Sequence, residues 1–135
     1  TLTDRMAGAA TEYLHDKVRK EYWGYAADES FTMADLYRVK YQGIRPAIGY
    51  PSLPDQLQNF TLDELLNMSQ IGVKLTENGA MAPTATVSGL FFAHPESNYF
   101  QIGSIDKEQV DDYAARRGLN EMEIRKMLGR NFNQM

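Results

Sequence analysis

Apolar residues recur at helical spacing near the N-terminus, where Met6, Ala10, Tyr13, Leu14 and Val18 predict a first helix over residues 4–22. Thr3 is the expected cap, and Asp4 suits the first turn. Gly8 sits oddly inside this helix, because a mid-helix glycine costs roughly 1 kcal/mol relative to alanine. The aromatic exit Tyr22-Trp23-Gly24-Tyr25 should end the helix and wedge into a core. A second helix is expected over 33–41, with Thr32 as cap, Asp35 in a partial capping box and Gly43 as stop. A third is expected over 62–68, under Thr61 and Glu64.

The middle of the chain changes period. Residues 71–75 alternate, and 84–93 and 99–105 are rich in residues that favour extended backbone. His94-Pro95-Glu96-Ser97-Asn98 separates the last two, so 84–93 and 99–105 are expected to pair as an antiparallel hairpin. Asn78-Gly79 predicts another tight turn. Two helices close the chain. Asp106 with Gln109 opens one over Lys107–Arg117, which Gly118 stops; Asn120 with Glu123 opens the next, which Gly129 ends. The expected class is α+β, a small antiparallel sheet flanked by helices.

At 135 residues the chain has the length of a single domain, and 43% hydrophobic with 24% charged residues is an ordinary globular composition. No apolar run approaches the ~20 residues of a membrane span, and the N-terminus lacks the basic start and apolar block of a signal peptide. A start at Thr1 rather than Met is what a processed or excised piece would show. Cysteine is absent, which removes disulfides, thiolate nucleophiles and Cys-based metal sites. A net charge of −4 argues against nucleic-acid binding. Lys17, Arg19 and Lys20, interrupted by Asp16 and Glu21, read as a solvated helix face.

Candidate chemistry concentrates in the least regular segment, 43–54, which carries Pro46, Pro51 and Pro54 and so excludes a long helix or a central strand. Arg45, held extended by Pro46 and followed by Gly49-Tyr50, can present its guanidinium as a fork to a carboxylate. The competing reading is a structural arginine tied to neighbouring carbonyls, and spacing alone favours that one. His94 reads as a structural turn residue, His15 as surface or packing, and Glu12 with Asp16 as a solvated acidic pair. No nucleophile triad, phosphate loop or complete acid–base pair is present.

The loop Tyr41-Gln42-Gly43-Ile44-Arg45-Pro46-Ala47-Ile48-Gly49-Tyr50-Pro51 has company along the chain: Glu12-Tyr13-Leu14-His15, Tyr22-Trp23-Gly24-Tyr25, Leu75-Thr76-Glu77, Phe92-Ala93-His94-Pro95, Tyr99, Val110-Asp111-Asp112-Tyr113-Ala114 and Arg116-Arg117-Gly118. In this order and spacing they resemble the C-terminal activation domain of cobalamin-dependent methionine synthase. The resemblance covers nearly the whole chain, residues 1–135, and implies a curved antiparallel sheet with flanking helices.

That resemblance also implies a function. The activation domain binds S-adenosylmethionine (AdoMet) over cobalamin held by another domain, while a flavodoxin-type or other reductase supplies an electron. Methyl transfer to the reduced cobalt then restores a methyltransferase of methionine biosynthesis, in the cytoplasm. Arg45 matches the arginine that grips the AdoMet carboxylate. Ala47 and Tyr99 match further ligand contacts, the Gly49-Tyr50 pair closes the RxxxGY pattern, and Tyr50 faces the cobalt side. Asp4 matches a residue that holds the cobalamin-binding domain. The family carries a ligand-contacting acid where this chain has Gly8, with Glu12 one turn (~6 Å) further on. A second acidic contact would come from an N-terminal part that the resemblance does not cover. Two readings follow: an AdoMet-binding activation unit, or an interaction module that keeps the fold, docks on a cobalamin protein or reductase, and has lost AdoMet. An independent enzyme is disfavoured, since no complete catalytic set is present.

Overall fold

The computed structural model describes residues 1–128. Helix α1 (Leu2–Lys17) is capped by Thr1, not Thr3: the Thr1 hydroxyl accepts from Asp4 N–H and the Asp4 carboxylate returns the bond. The box needs a polar acceptor at the third helical position, and counting from Thr3 would put Met6 there. A π-helical turn, Val18–Tyr22, follows, in which Trp23 N–H reaches Val18 C=O at 3.0 Å. Within that turn Arg19 is fully buried and pairs with Glu29, its Nη2 2.6 Å from Oε1. The expected solvated face is therefore wrong for Arg19. The aromatic exit is also only partly a wedge, since Tyr22 and Trp23 are exposed and Tyr25 alone turns inward.

Helix α2 (Met33–Tyr37) has its predicted Thr32–Asp35 box but stops four residues early, with Val39 at φ +53°. That early stop frees Tyr41 to bury itself between two guanidinium groups, Arg19 at 4.2 Å and Arg45 at 5.6 Å from its ring centre. Helix α3 (Gln58–Leu66) starts before Thr61, which lies inside it. The Asp55 carboxylate takes Leu57 N–H at 3.0 Å in the turn ahead of the helix, whose N-cap residue Leu57 makes no side-chain cap.

Among the described residues regular pairing is confined to β1 (Lys74–Leu75) and β2 (Met81–Ala82), antiparallel around the predicted Asn78-Gly79 turn. Residues 68–71 form a 3₁₀ turn instead of extending the strand. The expected hairpin between 84–93 and 99–105 does not form. Residues 88–92 bridge to 44–48: Ile44 and Phe92 exchange two 2.9 Å bonds, Ile48 N–H reaches Ser88 C=O and Leu90 N–H reaches Pro46 C=O. The proline-rich segment can do this because Pro46 is asked only for its carbonyl, never for a donor. The stretch after Tyr99 is fastened to Ser52 instead, through Phe100 N–H and C=O.

Helices α4 (Lys107–Arg117) and α5 (Glu121–Leu128) have both predicted capping boxes, and Gly118 at φ +64° ends α4. Gly129 lies outside the described residues. Val110 and Ile124, fully buried, centre a core with Ile105, Ala114 and Leu128, each full burial contributing about 1.5–3 kcal/mol. Buried Asp55 joins this helical pair to the rest, accepting from Tyr113 Oη at 2.7 Å and pairing with Arg117 Nε at 2.9 Å. The architecture is α+β, helices around a small antiparallel sheet. No helix among the described residues is long and apolar enough to cross a membrane.

Candidate functional site

The 44–48 bridge fixes Arg45 and Ala47 at the mouth of a groove of about 590 Å³. That volume suits a small organic ligand. Arg45, Ala47, Tyr50 and Tyr99, far apart in sequence, all line it; Gly8 and Thr11 of α1 supply the facing wall. Gly49 stands beside the groove rather than on it: at φ +86° its N–H donates to Leu53 C=O (2.7 Å), closing the turn that presents Tyr50. Asp4 is also outside the groove, exposed at the start of α1. The N-terminal ammonium and the Thr1 hydroxyl hold its carboxyl below the usual range.

Arg45 is held by side chains, not by the carbonyls of the competing sequence reading. The Glu12 carboxylate grips the end of its guanidinium, through both Nη1 and Nη2. Nη1 also meets Tyr41 Oη and lies 3.1 Å from His15 Nδ1. Tyr99 pins the arginine's backbone, its hydroxyl accepting Arg45 N–H at 2.9 Å. The expected solvated Glu12–Asp16 pair is thus replaced by two separate attachments, Glu12 to Arg45 and Asp16 to Lys20 and Arg19.

Ala47 faces Gly89 as a pair that exchanges no hydrogen bonds, because the flanking bonds belong to Pro46, Ile48, Ser88 and Leu90. Its peptide edge therefore points away from that strip, and among the described residues none accepts its N–H. Among the described residues no Asp or Glu lines the groove. At Gly8 an added Cβ would meet nothing within 4 Å, so the α1 wall is open just where an acid would reach in.

Of the two placements the sequence allowed His15, surface or packing, the structure has the second: it is fully buried. It packs edge-on to Tyr41 (5.0 Å) and stacks on Phe91 (5.1 Å), with Nε2 3.3 Å from Tyr25 Oη. Burial, with Arg19 and Arg45 beside it, lowers its pKa from 6.5 to about 4. The unfolded chain therefore takes up a proton near pH 6.5 that the folded chain refuses until about pH 4. The resulting stability is complete above that window and falls by roughly 2–3 kcal/mol as pH drops through it. Urea titrations at pH 7 and 4.5 should show a smaller acid loss for His15→Asn than for the parent; equal losses would refute the assignment.

Thr11 and Glu12 lie three and four residues after Gly8, His15 three after Glu12 and Arg19 four after His15, so one face of the N-terminal helix carries the groove wall and the Arg45 support. That spacing was the available signal, masked by the polarity of the residues. His94, by contrast, caps its own exposed turn, its Nδ1 taking Glu96 N–H, as expected of a structural residue.

Comparison with known proteins places these features in a family. The model of the vitamin B12-dependent methionine synthase activation domain matches residues 1–118. Among solved structures, that of the MetH reactivation domain bound to AdoHcy is 47% identical, with a TM-score of 0.92. The alignment covers 98% of this chain and 41% of that one, so the chain spans well under half the length of its neighbour.

Proposed function

The chain belongs to the activation-domain family of vitamin B12-dependent methionine synthase, and from that premise we propose that its groove binds AdoMet in support of cobalamin reactivation. The observation that carries the reading is the meeting of Arg45, Ala47, Tyr50 and Tyr99 on one groove of suitable volume. The ligand carboxylate goes to Arg45, whose planar fork suits it. The free Ala47 N–H offers a further donor, and the tyrosine faces of Tyr50 and Tyr99 suit the sulfonium cation. When bound, AdoMet supplies an activated methyl group on sulfur. The chain's own part is to grip the amino-acid end and hold it in place. Residues 1–135 act as one unit, corresponding to the C-terminal part of an activation domain. Its partners are the cobalamin-binding domain, with Asp4 as a contact on this side, and a flavodoxin-type or other reductase, in the cytoplasm.

The absence of any acid from the groove favours a second reading, an interaction module that docks on a cobalamin protein without binding AdoMet. Calorimetric titration of AdoMet into the chain separates the two. Micromolar binding supports the first, and no detectable heat with a well-folded sample supports the second. Gly8→Glu then tests the missing acid. The site is open to a side chain, and one charge-assisted bond of about 1.5–3 kcal/mol to the ligand cation would tighten binding at least 10-fold. An affinity that does not change removes Gly8 as the cause of weak binding.

A further inference from the structure

We infer that His15 is a positioning residue for Arg45: a buried neutral imidazole that, with Glu12 and Tyr41, occupies one end of the guanidinium and reserves its Nε–Nη2 edge for a ligand carboxylate. The inference rests on the AdoMet reading of the groove and adds to it which residues set the arginine and which edge it offers.

The hydrogen-bond inventory of the site fixes the tautomer. An arginine only donates, so His15 Nδ1, 3.1 Å from Arg45 Nη1, must be the unprotonated acceptor. The imidazole hydrogen then sits on Nε2, which donates to Tyr25 Oη at 3.3 Å; that hydroxyl in turn donates to Gln42 C=O at 3.3 Å. Tyr25 therefore selects the tautomer, and the chain of donors ends on the backbone just before the arginine loop. Protonation would turn Nδ1 into a donor facing a cation, and the lowered pKa of His15 keeps this from happening above about pH 4.

The same inventory identifies the open edge. Nη1 has two hydrogens for three acceptors, Glu12 Oε1 at 3.4 Å, His15 Nδ1 at 3.1 Å and Tyr41 Oη, so both are engaged. Nη2 gives one to Glu12. What is left is the second Nη2 hydrogen and the Nε hydrogen, which point the same way and form a side-on fork. No described residue accepts from that fork. A guanidinium free to rotate would let Glu12 take this edge too, and the contact to a fully buried His15 is what holds the end-on arrangement.

The test compares AdoHcy with its carboxyl methyl ester, measured by competition, in the intact chain. The parent should prefer the free carboxylate, and His15→Phe should cut that preference about 10-fold while leaving the ester's affinity nearly constant. His15→Asn, whose amide oxygen stands where Nδ1 stands, should restore most of it. Equal weakening of both ligands would make His15 a packing residue and overturn the proposal. Should Arg45→Ala leave the preference intact, the AdoMet reading of Arg45 itself fails, whatever His15 does. Because His15→Phe fills a buried polar site, two readouts avoid that risk. Tyr25→Phe should lower the preference about threefold, and no change in it counts against the relay. In the parent, nitrogen NMR should show an unprotonated Nδ1; a protonated one overturns the proposal outright.

Discussion

Arg45→Ala is expected to weaken AdoMet binding by about 100-fold or more, because the fork to a carboxylate combines two charge-assisted bonds of about 1.5–3 kcal/mol each. Arg45→Lys keeps the charge but not the planar fork, and should lose an intermediate amount. The effect should fall on ligands that carry a free carboxylate and spare those in which it is masked. The fold should survive, since Glu12 is about a third exposed and can turn to water when its partner goes. The loop itself is held by backbone bonds at Ile44, Pro46 and Ile48, none of which uses the arginine side chain. A variant that loses its cooperative melt would instead return Arg45 to the structural role that its spacing alone suggested.

The largest loss of stability is expected at Gly43. Its backbone lies at φ +87°, and an added Cβ would come within 2.2 Å of Phe92 carbonyl oxygen and 3.0 Å of Tyr25 Oη. The first of these is backbone and cannot swing away. An alanine at this position would have to open the Ile44–Phe92 bridge, losing two bonds of about 1 kcal/mol each on top of about 1–2 kcal/mol for the left-handed conformation. Gly43→Ala should therefore cost about 3 kcal/mol, lowering Tm by about 10 °C. Gly72→Ala separates the two causes. Gly72 has φ +76° but nothing within 4 Å of its added Cβ, so it carries only the conformational part, about 1–2 kcal/mol. Equal losses at the two positions would mean that the Phe92 approach contributes nothing. Because the bridge fixes Arg45, Gly43→Ala should also weaken ligand binding, whereas Gly72→Ala should not.

How far the chain could be read residue by residue depended on the range of the interaction concerned. Capping boxes at Thr32–Asp35, Asp106–Gln109 and Asn120–Glu123 were legible because both partners lie within four residues and their geometry is local. Thr3 and Thr61 show the limit of the same logic. A box two residues earlier won at the first, and at the second the helix begins at Gln58 without a side-chain cap, after a turn closed by the Asp55 carboxylate. Strand pairing failed where it was non-local. The β-prone run 84–93 has a turn and another β-prone run after it, yet its partner is 44–48, some 40 residues earlier along the chain. Nothing in the composition of 44–48 advertised this, because proline disqualifies a segment only when its missing N–H is needed.

By itself the sequence determined the α+β class, the positions of the terminal helices, the Asn78-Gly79 turn and, through its resemblance, the family; that resemblance also singled out Arg45, Ala47, Tyr50 and Tyr99, which the fold brings to one groove. These follow from local hydrogen bonding and from an ordered pattern of residues along the chain. Tertiary structure alone decided that Glu12, His15 and Tyr41 converge on Arg45, that Arg19 is buried against Glu29, and that Gly8 opens onto the groove. Glu12 and Arg45 are 33 residues apart, and a charged side chain looks the same in sequence whether it meets water or another charge. Only the packing of α1 against the 44–48 bridge brings them together. Burial then makes the contact selective, because a desolvated guanidinium must find fixed acceptors and a desolvated imidazole must stay neutral.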